Sequence, residues 1–312
     1  MRIITGKAHP ELGQAICDNL GINPACCNIS RFPDGETKVE IKDDVRGMNI
    51  FIVQPTCTPV NESFMELFIL ADALKRASAK SINAVVPYYG YARQDRKHMG
   101  RVPITAKLVA NLLTASGVNR MLCMDLHATQ IQGFFDIPMD HLLALPIFLP
   151  YLREIGVENP VFMSPDVGSI KLADNFAKQY PGDIAVASKR RLSDTQVEHG
   201  HVIGDVKNRD VIIIDDMIST GGSMVGAIEI AREYGAKSVK ILATHGLFSG
   251  SAFEKFAKTK PDEIIVSDTV PQKHHKVPEG LKFTILSVAP LLADAITRIH
   301  NNRSVSLMFM RP

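Results

Sequence analysis

Two common glycine-rich nucleotide motifs are missing from the sequence. Neither Gly-x-x-x-x-Gly-Lys-[Ser/Thr] nor Gly-x-Gly-x-x-Gly occurs, so neither a P-loop nor a dinucleotide-binding turn has support. A strong excess of basic charge is also missing, because the formal net charge is +2. Such a charge provides no global field for nucleic acid, and any anion site must therefore be built locally.

Long apolar runs and metal-binding cysteine patterns are absent as well. No apolar run approaches the roughly 20 residues that a membrane-spanning helix needs. The five cysteines fit no zinc-binding spacing, and the opening Met-Arg-Ile-Ile-Thr is unlike a signal peptide. We therefore expect a cytoplasmic protein with reduced thiols and with neither a membrane nor a nucleic acid as partner.

Short apolar runs alternate with segments of helical period along the 312 residues. Strands are predicted at 2–5, 37–41, 50–53, 82–87, 120–124, 161–163, 184–188, 211–214, 239–243, 264–266 and 284–286. Helices are predicted at 10–20, from a cap at Asn61 through Ala77, at 103–116 and at 224–234. This alternation indicates an α/β fold with mainly parallel sheets flanked by helices, and the length suits roughly two domains of about 150 residues.

The two halves of the chain resemble each other. The segments 120–125 and 210–215 are both apolar strands that run into an acidic residue. We predict two related α/β domains, joined near 143–150.

One segment, 88–102, interrupts the alternation. It has no hydrophobic period and carries Arg93, Arg96, Lys97 and Arg101. An irregular loop of this length in a compact domain is usually functional or disordered. Several cations on such a loop are suited to closing over a polyphosphate.

The strongest local signal is the segment 212–223. A buried strand ends in Asp215 and Asp216, a hydroxyl- and glycine-rich turn follows, and a helix then begins. The turn consists of Ser219, Thr220, Gly221, Gly222 and Ser223. Its N–H groups and the helix dipole favour an anion, whereas the two carboxylates suit sugar hydroxyls or a hydrated Mg²⁺. The segment therefore fits a ribose 5-phosphate, although Asp215-Asp216 alone would more often cap a turn.

This segment resembles the phosphoribosyl-diphosphate-binding motif of phosphoribosyltransferases and of ribose-phosphate pyrophosphokinases. Further segments, in the right order, resemble only the latter family, in its phosphate-dependent class, and the resemblance covers essentially the full length. They are Phe-Pro-Asp-Gly-Glu at 32–36, Tyr-Ala-Arg-Gln-Asp-Arg-Lys at 91–97, Asp-Leu-His-Ala-Thr-Gln-Ile-Gln-Gly-Phe-Phe at 125–135 and Pro-Asp-Val-Gly at 165–168.

The resemblance implies a role for each matching residue. Phe32, Asp34 and Glu36 would contact adenine from a neighbouring subunit, and Arg93, Gln94, Asp95, Arg96 and Lys97 would bind ATP. His127 and Asp166 would contact the metal, Lys189 and Arg191 would be the catalytic basic pair on a mobile flap, and 215–223 would bind ribose 5-phosphate. The residue chemistry leaves His127 open between a general base and a metal ligand.

Several positions depart from the family pattern. Ser219 stands where many relatives carry Asp, Ser169 where Gly is usual and Leu172 where Arg is common, while Ser223 keeps the hydroxyl of a usual Thr. A side chain at Ser169 is expected to crowd the diphosphate-binding turn. The family's allosteric site, which takes phosphate as activator and ADP as inhibitor, is matched by Arg46, Thr129, Ser304 and Ser306, but His141 and Leu143 replace its usual pair.

The resemblance implies an enzyme that transfers diphosphate from ATP to ribose 5-phosphate. Two Mg²⁺ ions per site, phosphate as an activator and a homo-hexamer are implied with it. The expected domains are phosphoribosyltransferase-like: 1–143 plus the tail 299–312 for ATP, and 144–298 for ribose 5-phosphate, with the two anion-binding clusters facing a shared cleft. The alternatives are a phosphoribosyltransferase, which explains only 215–223, and a catalytically silent regulatory relative.

Overall fold

The structure is a computed structural model that describes residues 1–188 and 200–308. The strands are β1 (Arg2–Thr5), β2 (Cys27–Arg31), β3 (Thr37–Ile41), β4 (Asn49–Val53), β5 (Ser81–Val86), β6 (Arg120–Met124), β7 (Met139–Leu142), β8 (Val161–Ser164), β9 (Asp183–Ser188), β10 (His201–Ile203), β11 (Asp210–Ile218), β12 (Ser238–Gly246), β13 (Glu263–Ser267) and β14 (Phe283–Leu286). The α-helices are α1 (Pro10–Leu20), α2 (Val60–Arg76), α3 (Thr105–Ser116), α4 (Leu145–Glu154), α5 (Ile170–Gln179), α6 (Gly222–Glu233), α7 (Ala252–Thr259) and α8 (Ala289–His300).

The chain divides into two compact units. The first contains Met1–Leu143, Thr269–Pro271 and the described residues from Ser287 onward, and the second contains Ala144–Asp268 and Gln272–Leu286. The return to the first unit begins at Ser287 and so includes α8, which packs on α1.

The sheet of the first unit has the order β1-β4-β5-β6-β7, with all neighbours parallel. Successive side chains of a strand point to opposite faces. On one face, Ile50, Ile52 and Ala84 share a core with Leu67 of α2 and Ala110 of α3. The strands β2 and β3 form a separate antiparallel hairpin.

The sheet of the second unit has the order β10-β9-β8-β11-β12-β13-β14, and only the β9–β10 pair is antiparallel. Its central strands are apolar on both faces. Ile213 belongs to the core that contains Ala227 of α6 and Phe256 of α7. Phe162, on the alternate face, contacts Phe176 of α5 with ring centres 5.6 Å apart. The predicted α/β class, with parallel sheets flanked by helices, is confirmed.

Helix α4 is not among the predicted helices; it begins at Leu145 and buries Phe148, Leu149 and Leu152. One predicted helix cap is wrong. Asn61 does not cap α2: the helix begins one residue earlier, at Val60, and the Asn61 amide oxygen accepts a hydrogen bond from the Tyr91 hydroxyl.

No helix in the described part of the chain is long and apolar enough to span a membrane.

A buried carboxylate in the first unit makes the stability of the fold depend on pH. Glu66 Oε1 accepts hydrogen bonds from the Lys7 backbone N–H at 2.6 Å and from Gln54 Nε2 at 3.1 Å. Burial nevertheless raises the pKa of Glu66 above its ordinary value of 4.5, because a buried site disfavours the charged form. The folded protein therefore holds this proton more tightly than the unfolded chain, and stability falls as pH rises from 4.5 through the raised pKa.

We expect Glu66→Gln to remove this dependence, since the amide oxygen can accept the same two hydrogen bonds without a charge. The melting temperature of Glu66→Gln minus that of the unsubstituted protein should rise with pH above about 4.5 and then level off. Thermal unfolding across pH measures the difference, with the exposed Glu229→Gln as control. A difference that falls as pH rises would contradict this account of Glu66.

Candidate active site

The acidic pair lies within β11 and not just beyond it. The prediction ended this strand at residue 214, but it continues to Ile218 because Asp215, Met217 and Ile218 pair with β12. Asp215 and Asp216 thus lie near the carboxyl end of a central parallel strand, where ligand sites of open α/β sheets occur.

The turn after β11 leads directly into α6. Gly221 has φ 74° and precedes the first residue of the helix, Gly222. A Cβ atom at Gly221 would lie 3.0 Å from Phe256 Cζ, so the position requires glycine for its left-handed backbone and for the close approach of α7. The N–H groups of the first helical turn have no acceptor within the helix, so this helix start favours the binding of an anion.

Ser169 contacts the acidic pair. Its hydroxyl donates a hydrogen bond of 2.6 Å to Asp215 Oδ1, which also accepts one from the Asp216 backbone N–H at 3.0 Å. Burial, followed by the charge of Asp216, raises the pKa of Asp215 above its usual range, and the Ser169 bond opposes this rise. The side chain expected to crowd a turn thus makes a hydrogen bond with the acidic strand.

A cavity of about 570 Å³ joins three segments that the sequence marked as functional. It is lined by Pro165, Asp166, Val167, Ala187, Ser188, Gly222 and Ser223. Asp166 Oδ1 also accepts hydrogen bonds from the N–H groups of Gly168 and Ser169, at 2.7 and 3.3 Å. The Asp166 turn, the end of β9 and the start of α6 therefore share one pocket of the second unit.

Two predicted catalytic residues cannot be placed. Lys189 and Arg191 lie outside the described residues. In sequence they follow Ser188, the last residue of β9 and part of the cavity wall.

In the first unit, the irregular loop 88–102 and the segment after β6 contact each other. Gln130 Nε2 donates to Asp95 Oδ2 at 3.0 Å, and the Ala106 N–H donates to the Gln94 carbonyl at 3.2 Å. Arg93, Arg96 and Lys97 are exposed, as is His127 beyond β6. The start of the predicted irregular loop is packed, however, because Tyr89 is buried and its hydroxyl donates to the Ala106 carbonyl.

The segment after β6 has a second anchor that sequence reasoning missed. His141 Nε2 accepts a hydrogen bond of 2.9 Å from the Leu126 N–H, and the Asp125 N–H donates to the Leu142 carbonyl at 3.0 Å. These bonds to β7 hold the turn that carries His127.

The remaining predicted site residues of the first unit are exposed. Phe32, Asp34 and Glu36 form the tip of the β2–β3 hairpin, where Lys38 Nζ lies 5.5 Å from the centre of the Phe32 ring. The proposed allosteric residues are also exposed, and the Arg46 guanidinium donates to the Ser78 hydroxyl at 3.2 Å. Those allosteric positions are Arg46, Thr129, Ser304 and Ser306.

Comparison with known proteins decides the family. Residues 1–117 match the model for the N-terminal domain of ribose phosphate pyrophosphokinase, and residues 198–310 match the phosphoribosyl synthetase-associated domain. A ribose-phosphate pyrophosphokinase of Wolinella succinogenes is 50% identical over 309 residues, which cover 99% of both chains. The chain belongs to the ribose-phosphate pyrophosphokinase family.

Two further proteins of the ribose-phosphate pyrophosphokinase family are similar to this chain over nearly its full length. A relative of that name from Clostridium perfringens is 49% identical and covers 99% of this chain and 97% of its own length. The crystal structure of phosphoribosylpyrophosphate synthetase from Mycobacterium smegmatis has a TM-score of 0.90 and 41% identity, and the match covers 96% of this chain and 99% of the other. The predicted family is confirmed, and the chain is an enzyme of the diphosphate-transferring class.

The donor atoms of the cavity are compatible with the Mg²⁺ that this family implies. No cluster of three or more His, Cys, Asp or Glu side chains that could hold a metal occurs within residues 1–188 and 200–308. Mg²⁺ does not need such a cage, because it keeps several waters and binds through one or two carboxylates and substrate phosphates. Asp166 on the cavity wall supplies a carboxylate of this kind.

Proposed function

We propose that this enzyme transfers the diphosphoryl group of Mg-ATP to the C1 hydroxyl of ribose 5-phosphate, giving 5-phosphoribosyl 1-diphosphate and AMP. The observation that carries the proposal is the cavity that Asp166, Ser188 and Ser223 share. The cavity combines a helix start that favours an anion with the Asp166 carboxylate, and the Asp215 carboxylate accepts a hydrogen bond from Ser169, three residues after Asp166.

Ribose 5-phosphate would bind with its phosphate at the start of α6. Backbone N–H groups of 221–223 and the hydroxyls of Ser219, Thr220 and Ser223 are donors for the phosphate oxygens. Asp215 and Asp216 would accept hydrogen bonds from the ribose hydroxyls. With the phosphate and the hydroxyls both held, the C1 hydroxyl has a fixed direction, and such alignment lowers the barrier to reaction.

ATP would be held by the exposed groups of the first unit and by the basic pair. Arg93, Arg96 and Lys97 provide positive charge for the triphosphate, and His127 would contact the phosphate chain. Lys189 offers a compact charge and Arg191 a planar fork for the oxygens of the transferred group. Diphosphoryl transfer develops charge on those oxygens, so electrostatic stabilisation is the main task of the protein.

Asp166 would hold Mg²⁺ through one carboxylate oxygen, with phosphate oxygens and water completing its shell. The ion would neutralise charge on the diphosphate during transfer. Two ions per site, activation by inorganic phosphate, a homo-hexamer in which Phe32 reaches a neighbouring subunit and a cytoplasmic location all stay predictions.

Product analysis tests the proposal. Purified full-length protein with Mg-ATP and ribose 5-phosphate is expected to form AMP and 5-phosphoribosyl 1-diphosphate in equal amounts. Formation of ADP would show an ordinary kinase and would refute the proposal. Pyrophosphate release that depends on added nucleobase, starting from 5-phosphoribosyl 1-diphosphate, would indicate a phosphoribosyltransferase, and no turnover would indicate a silent relative.

A further inference from the structure

The three backbone carbonyls of the turn 219–221 all accept hydrogen bonds within the second unit. The Ser219 carbonyl accepts from the Ser249 N–H, and the Gly221 carbonyl accepts from the Val225 N–H, each at 2.9 Å. The Thr220 carbonyl accepts from the Lys255 ammonium, also at 2.9 Å. Lys255 is the one side-chain donor of the three, so it is the contact that a substitution can remove.

The direction of the Thr220 carbonyl determines that of the next N–H group. In a planar trans peptide, the carbonyl oxygen of one residue and the N–H of the next point in opposite directions. Because the Thr220 carbonyl points to the Lys255 ammonium, the Gly221 N–H points away from that ammonium. Gly222 and Ser223 line the cavity, and no α7 residue is among the described residues that line it.

Helix α7, which carries Lys255, packs directly against the turn. Ala252 and Phe256 are buried, and a Cβ atom at Gly221 would lie 3.0 Å from Phe256 Cζ and 3.7 Å from Ala252 Cβ. Lys255 lies next to Phe256, so its ammonium extends from a helix already packed against the turn. The apolar contact of Gly221 with Phe256 and Ala252 fixes the distance between the turn and α7. The hydrogen bond from Lys255 fixes the orientation of the Thr220–Gly221 peptide.

We propose that Lys255 is a positioning residue for the phosphate of ribose 5-phosphate. It holds the Thr220–Gly221 peptide so that the Gly221 N–H faces the phosphate, and it does not itself bind the substrate. The inference rests on the proposed function, since it assigns the sugar phosphate to this turn.

The test is Lys255→Met, which keeps the length and apolar stem of the side chain but removes the donor. Loss of a hydrogen bond to a charged group is expected to raise the Kd and the KM for ribose 5-phosphate about tenfold or more. The KM for ATP should stay within about twofold, because the turn does not hold ATP. Lys255→Arg, which keeps a charged donor, should restore most of the affinity, and Lys258→Met on the exposed side of α7 is the matched control.

Calorimetric titration of the full-length protein with ribose 5-phosphate, without ATP, separates the two proposals. No binding by the unsubstituted protein would overturn the proposed function and this inference with it. Equal binding by the unsubstituted protein and Lys255→Met would overturn the role of Lys255 alone, as would an equal rise in KM for both substrates. Lys255→Gln, with the same expectation, takes the place of Lys255→Met if that variant does not fold.

Discussion

Lys189→Ala is expected to lower kcat about 100-fold or more, with a smaller change in the KM for ribose 5-phosphate. Removing one preorganised donor to a developing charge costs about 3 kcal/mol of transition-state stabilisation. Lys189 directly follows Ser188, which forms part of the cavity wall beside Ser223. The proposed function gives this lysine the oxygens of the transferred group, whose charge increases only during reaction.

Steady-state kinetics with both substrates measure the effect of Lys189→Ala. Lys178→Ala is the matched control, because Lys178 is exposed on α5 and pairs with Asp174 four residues earlier. An exposed pair of this kind contributes little, so that variant should behave like the unsubstituted protein. If Lys189→Ala kept half of the original kcat, the assignment of the basic pair to catalysis would be wrong.

Gly221→Ala is expected to lower kcat/KM for ribose 5-phosphate about 100-fold, since a displacement of about 1 Å at a positioned site has effects of this size. The residue has φ 74°, and the added methyl group would lie 3.0 Å from Phe256 Cζ. The ring belongs to a buried side chain, so the turn and not the ring is expected to shift. The N–H groups that we propose to bind the phosphate would shift with it.

A second glycine supplies the control for Gly221→Ala. Gly250 has φ 61°, and a Cβ atom there meets nothing within 4 Å. Both substitutions carry the cost of a left-handed alanine, about 1 kcal/mol, but only Gly221 belongs to the proposed phosphate turn. Kinetics and thermal unfolding of both variants are compared: Gly221→Ala is expected to lose somewhat more stability, because its methyl group also meets Phe256, and to lose far more activity. Equal activity of the two variants would contradict the role of the turn.

Local sequence patterns were sufficient to predict most of the strands and several of the helices. The buried central strands β4 and β11 are apolar runs in the sequence, and α3 ends at Ser116 as predicted, where Gly117 follows with φ 108°. Helix α4 was not predicted; it carries Pro146 in its first turn and Pro150 in its interior, and an interior proline removes a helical hydrogen bond. The edge strand β10 has only three residues, too few for a periodic signal.

Site residues that lie in one contiguous segment could be predicted from the sequence. Hydrogen-bonded pairs of residues that are far apart in the sequence could not. Asp166, Ser223 and the end of β9 could be marked from their own motifs. The Ser169–Asp215 and Lys255–Thr220 hydrogen bonds join residues 46 and 35 positions apart, and the His141–Leu126 bond spans 15. Tertiary packing brings these partners together, and no local period or motif encodes such a pair.

The fate of the β-phosphorus of ATP is the most direct test of the central claim. We incubate full-length protein with ribose 5-phosphate and Mg-ATP labelled only at the β-phosphate, and then separate the products. We expect all transferred label in 5-phosphoribosyl 1-diphosphate and an unlabelled AMP. Label retained in ADP, with an unlabelled sugar phosphate, would show transfer of the terminal phosphate alone and would refute diphosphoryl transfer.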